Sequence, residues 1–158
     1  MSKRLFRGAA MAVCLAAAAS IAGCGGDDAN PAVFSGSWSG SLTLTYAGGG
    51  GSGGGVALSL GQDDDFVAGW ADWDPIRERQ SVTGPIDGTS IELWLHFRCL
   101  DPEFDVPRTQ VAVITGSLNG NTLTFSGASG LACPGGGVPI EVTGGSGQVV
   151  RFSDAQPL

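Results

Sequence analysis

The sequence predicts an all-β chain folded as a small antiparallel up-and-down barrel of about eight strands, and three observations carry that expectation. First, short apolar runs alternate with a period of two at intervals of about ten residues, giving eight or nine candidate strands. Second, the chain holds 27 glycines without a Gly-X-Y period and has almost no helix-forming windows, which fits a turn-dense sheet. Third, it contains an internal repeat whose unit is a β-hairpin. Closing such a sheet on itself removes the exposed edges that an open sheet would leave. A two-sheet β-sandwich is the rival arrangement, and the pattern alone does not separate the two.

The first 23 residues carry a different signal. Lys3, Arg4 and Arg7 form a cationic start, and an Ala-rich apolar run follows from Gly8 to Ala22. At about 15 residues this run has the length of a signal-peptide core and is short for a ~30 Å hydrocarbon layer. It ends in Ile21-Ala22-Gly23-Cys24, an aliphatic residue and two small ones before a cysteine. This resembles the lipobox of bacterial lipoproteins. The resemblance implies cleavage before Cys24 and a diacylglycerol on its sulfur, with Gly25, rather than aspartate, in the next position favouring the outer membrane. The chain then divides into a signal peptide (1–23), a lipid-anchored tether (24–32) and a single β domain (33–158).

Charge agrees with a covalent anchor. Downstream of residue 23 only Arg77, Arg79, Arg98, Arg108 and Arg151 remain against all fifteen carboxylates, a formal charge of about −10. Anionic headgroups repel such a surface, so membrane residence has to come from acyl chains. The same acidity excludes a nucleic-acid partner, which requires a basic footprint.

Along the β domain, Phe34 to Tyr46 reads as the first strand, with Trp38, Leu42, Leu44 and Tyr46 on one face and Ser37, Ser39, Ser41, Thr43 and Thr45 on the other. Gly48 to Gly55 reads as a flexible loop. Val56, Leu58 and Leu60 alternate, a turn is expected over Gly61–Asp65, and Phe66–Trp73 forms the next strand, which Asp74-Pro75 ends. Trp70 and Trp73 fall on opposite faces of that strand, so at most one sits in the core and the other is a candidate contact residue. The repeat then aligns Val82–Leu93 with Ile114–Phe125 at an offset of 32 residues. Each copy sets Asp87-Gly88 or Asn119-Gly120 between two alternating runs, a hairpin signal because both residue types tolerate positive φ. Gly36-Ser37-Trp38, opening the first strand, resembles the Gly-X-Trp signature of the calycin barrels, the lipocalins and avidins. The likeness covers three residues and implies a barrel without implying a ligand.

Beyond Cys24, the cysteines left downstream of the cleavage point are Cys99 and Cys133, an even pair in an oxidising compartment, and a disulfide is expected. A redox role has no Cys-X-X-Cys spacing behind it. In Ile91–Arg98, one face carries Ile91, Leu93, Leu95 and Phe97 and the other Glu92, Trp94, His96 and Arg98. A roomy barrel would let Trp94 and His96, with Trp38, line a ligand pocket; otherwise the polar residues are ordinary surface. His96 is the only histidine, which excludes a histidine-rich zinc centre, and no Gly-X-Ser-X-Gly elbow accompanies it. Asp63-Asp64-Asp65, near Asp72 and Asp74, lacks the twelve-residue calcium loop and its terminal glutamate and reads as a solvated acidic turn. No cofactor is implied. The expectation is therefore a non-enzymatic, lipid-anchored envelope barrel that binds a small ligand or an envelope partner. The alternatives are a purely structural or assembly lipoprotein with a filled core and, last, a small hydrolase.

Overall fold

The computed structural model describes residues 33–76 and 78–153; the expected signal peptide, Cys24 and the tether lie outside them. Eight antiparallel strands follow one another around a closed barrel: β1 (Gly36–Tyr46), β2 (Gly51–Asp63), β3 (Phe66–Trp73), β4 (Gln80–Asp87), β5 (Ser90–Asp101), β6 (Val106–Asn119), β7 (Thr122–Ala132) and β8 (Ile140–Ser153). β8 returns to pair with β1 over Ser37–Tyr46, so no strand is left as an edge. The sandwich arrangement does not occur.

The period-two alternation decides what fills the barrel. Trp38, Leu42 and Leu44 from β1, Val56, Leu58 and Leu60 from β2, Val67 and Trp73 from β3, and Ile91, Leu93, Leu95 and Phe97 from β5 are all buried. Eight strands enclose a space that side chains of this size can fill. Each buried indole also has an acceptor: Trp38 Nε1 donates to the Phe34 carbonyl at 3.0 Å and Trp73 Nε1 to the Leu42 carbonyl at 3.1 Å. On β7, Ser126 has no partner between the pairs Thr115↔Gly127 and Gly116↔Phe125. That bulge lets both Phe125 and Ala128 pack on the core although they are three residues apart. The outward residues of β1 are Ser and Thr, the inverse of a lipid-facing strand.

Two expectations about loops need correction. Gly51–Gly55 is not loop but the first part of β2, paired residue by residue with Ser41–Thr45, and the turn shrinks to residues 47–50. A ladder needs only backbone groups, and bare glycines here let the β3–β4 connection lie close. A Cβ on Gly54 would sit 3.0 Å from both Asp74 Cβ and Pro75 Cδ. The turn expected over Gly61–Asp65 is likewise only Asp64-Asp65, with Asp63 paired to Phe66 and Asp64 at φ 50°. Both repeat hairpins form, one residue later than their sequence suggests. Asp87 pairs with Ser90 and Asn119 with Thr122, leaving Gly88-Thr89 and Gly120-Asn121 as the loops. Only the glycines have positive φ, 58° in each, the φ pattern of a type II′ turn.

The barrel therefore has two unlike ends. One carries the three two-residue turns and the entry of the chain, sealed by buried Phe34, whose N–H donates to Gln62 Oε1 at 2.7 Å. There the Arg151 guanidinium lies 4.6 Å from the centroid of the Trp38 ring and donates to the Val33 carbonyl. The other end carries the longer connections: 47–50, 74–79, 102–105 and 133–139.

Candidate functional site

The interior residues give no pocket shared by Trp38, Trp94 and His96. Trp38 is fully buried inside the barrel, whereas Trp94 and His96 are half-buried on the outside of β5. The reason is the one-residue alternation itself: Leu93, Leu95 and Phe97 take the interior, so their neighbours must face out. On that outer wall Trp94 packs edge-on against Phe66, with centroids 6.3 Å apart, and its Nε1 donates to Glu92 Oε2 at 3.3 Å. Trp70, 52% exposed, stands on the same wall, while Trp73 is in the core.

His96 Nε2 shares a 3.0 Å hydrogen bond with Thr83 Oγ1. This brings a hydroxyl to an imidazole, but among the described residues no carboxylate holds the other ring nitrogen. Nor do the described residues contain a group of three or more His, Cys, Asp or Glu side chains placed to hold a metal ion. Of the acidic triplet, Asp63 ends β2 and Asp64-Asp65 make the β2–β3 turn.

Concavity is found instead at the loop end. Clefts of about 470 and 300 Å3 open there, a further one of about 440 Å3 runs from the β3–β4 connection onto the outer wall along Ser39, Ala57 and Asp72, and Glu78 lines all three. The first is bounded by Pro75 and Ile76, by Gln80, by Phe97 and Arg98, and by Cys133 with Gly135 and Gly136. Each wall is fixed by local chemistry. The β3–β4 connection is pinned to β2, since the Asp74 N–H donates to the Gly55 carbonyl at 2.9 Å and Asp74 Oδ2 accepts from the Gly55 N–H at 2.8 Å. At its far end Arg79 forks onto Asp72, with Nε and Nη2 at 3.1 and 2.9 Å from the two carboxylate oxygens. This pair holds the guanidinium pKa above its ordinary value. The opposite wall is the 3-10 turn Pro134–Gly136, tied to the barrel by the Cys99–Cys133 disulfide with Cα atoms 5.6 Å apart. The Leu100 N–H adds a bond to the Gly137 carbonyl at 3.1 Å. The neighbouring β5–β6 connection is stiffened by Asp101, whose Oδ1 accepts the Glu103 and Phe104 N–H groups while Oδ2 pairs with Arg108 at 2.7 Å.

Gln80 is the one buried polar side chain among the described residues, 5% exposed. Its Nε2 donates to the Glu78 carbonyl at 2.7 Å, while its Oε1 accepts from no described residue. Glu78 and Arg98 share two clefts, yet neither forms an ion pair among the described residues. Of these residues the sequence pointed only to Arg98 and Cys133. Gln80 had a readable signal, a polar residue at an inward strand position, but Glu78 gave none, because its place follows from how the connection folds back on β2. No protein-family model and no curated protein matches this chain.

Proposed function

We propose that this chain is a non-enzymatic lipoprotein of the bacterial cell envelope, anchored through Cys24 in the outer membrane, whose loop end binds a small ligand or an envelope partner. The observation that carries this reading is the contrast between the two ends of the barrel. The end where the chain enters is sealed by Phe34, Trp38 and Arg151, and the cleft of about 470 Å3 lies at the opposite end. Residues 24–32 reach at most about 30 Å, so a lipid on Cys24 keeps the sealed end within that distance of the bilayer. Rigid walls with longer connections at one mouth suit a binding module. The Thr83–His96 pair on the outer wall, with no carboxylate on the other ring nitrogen among the described residues, weighs against hydrolysis.

The filled interior favours a second reading, a purely structural or assembly lipoprotein in which the clefts serve no ligand. Localisation tests what the two share. Cys24→Ser should release the protein from the membrane fraction without changing its fold, since the barrel begins at Gly36. Undiminished membrane residence of the variant would refute the anchor.

A further inference from the structure

We propose that the cleft of about 470 Å3 at the loop end takes a small zwitterion with an apolar side chain, an amino acid or dipeptide. This proposal rests on the binding-module reading above and names its ligand class. Four features point to it. The volume falls in the range of small-molecule sites and exceeds what a single bound ion needs. Arg98 and Glu78 bring one positive and one negative group to the same cleft without neutralising each other. A ligand carrying both charges satisfies both, whereas a simple anion or cation meets a like charge. Gln80, buried and with Oε1 lacking a protein donor, offers an acceptor suited to an ammonium or amide N–H. Between them Pro75 and Ile76, both partly exposed, supply an apolar surface for the ligand's side chain.

In this arrangement Arg98 takes the carboxylate, by the forked geometry that favours arginine over lysine. Glu78 and the Gln80 carbonyl take the ammonium. The disulfide serves the site by holding the Cys133 wall beside Arg98, whose next neighbour in the chain is Cys99.

The test is calorimetric titration of the purified native protein with leucine and leucyl-leucine, alongside N-acetyl-leucine and leucinamide, which lack the free ammonium and carboxylate respectively. The zwitterions are expected to bind at least about tenfold more tightly than either analogue, a difference appropriate to one charge-assisted hydrogen bond. Glu78→Gln should abolish the preference over N-acetyl-leucine, and Arg98→Gln the preference over leucinamide. Both positions are at the surface, and Trp70→Ala, on the outer wall, should change neither. The absence of binding at millimolar concentration, or binding that both variants leave intact, overturns the proposal. A membrane-anchored protein that fails this titration loses the ligand assignment and keeps the anchor; a protein that binds but is never lipidated does the reverse.

Discussion

Gly84 gives the sharpest test of why the sheet closes. It lies in β4 between the pairs Thr83↔Trp94 and Ile86↔Ile91. A Cβ built on it would stand 1.7 Å from the Glu92 carbonyl oxygen of β5 and 2.9 Å from the carbonyl carbon. Side-chain Cβ atoms essentially never approach within 3.0 Å, so Gly84→Ala must displace a backbone carbonyl by about 1.3 Å. A flexible side chain could swing aside, but a ladder carbonyl moves only with its strand. The β4–β5 hydrogen bonds should therefore be disrupted, at about 3 kcal/mol or more, toward the upper range of overpacking substitutions. Gly61→Ala is the matched control. It too replaces a strand glycine, on β2, but its Cβ meets only the Ala68 carbonyl at 3.7 Å, and its effect should lie within about 0.5 kcal/mol. Urea unfolding followed by tryptophan fluorescence compares the two directly. Equal stabilities for the two variants would refute the view that close strand approach at inward glycines shapes this barrel.

Further outcomes follow from other parts of the structure. Reducing the Cys99–Cys133 disulfide, which closes a loop of 34 residues, should lower stability by up to about 4 kcal/mol in the chain-entropy model; an unchanged melting temperature with reductant would contradict it. Asp64→Gly should stabilise by about 0.5 kcal/mol, since a non-glycine residue at φ 50° bears a steric cost that glycine avoids, and a lower urea midpoint would count against this. Trp73→Phe should cost about 1–3 kcal/mol, because it removes the indole's 3.1 Å hydrogen bond to the Leu42 carbonyl and leaves a void, again read by denaturant midpoint. Tyr46, the only tyrosine, has its pKa raised above 10.0 by burial, with the Ser52 hydroxyl opposing the shift. A raised folded-state value means the neutral phenol stabilises the fold below pH 10 and that contribution disappears as pH rises through the folded pKa. Phenolate absorbance should accordingly titrate above the free-tyrosine midpoint and coincide with alkaline unfolding, and Tyr46→Phe should remove that coupling.

The strands were readable because alternation and burial are the same fact seen twice: Trp38, Leu42 and Leu44, or Ile91 through Phe97, point inward because period two leaves them no other face. The disulfide was readable from parity of the cysteines. What escaped the sequence depended on neighbours distant along the chain. Gly51–Gly55 looks like a loop because glycine has no strand propensity of its own, and only the facing Ser41–Thr45 makes it a strand. The hairpin loops slipped by one residue because the Asp-Gly signal does not say which central position the glycine will occupy. Trp38 and the pair Trp94 and His96 are kept apart by the same alternation, since Trp38 is on the inner face of the wall and the other two are on the outer. The loop-end clefts were illegible because Glu78, Gln80, Arg98 and Cys133 meet only after closure.

The intact mass of the protein extracted from cell envelopes tests the central claim most directly. The account predicts a chain that begins at Cys24, 23 residues shorter than the full sequence, and heavier than its amino-acid composition by a diacylglyceryl group. A mass matching the unmodified chain with Met1 still present would contradict it.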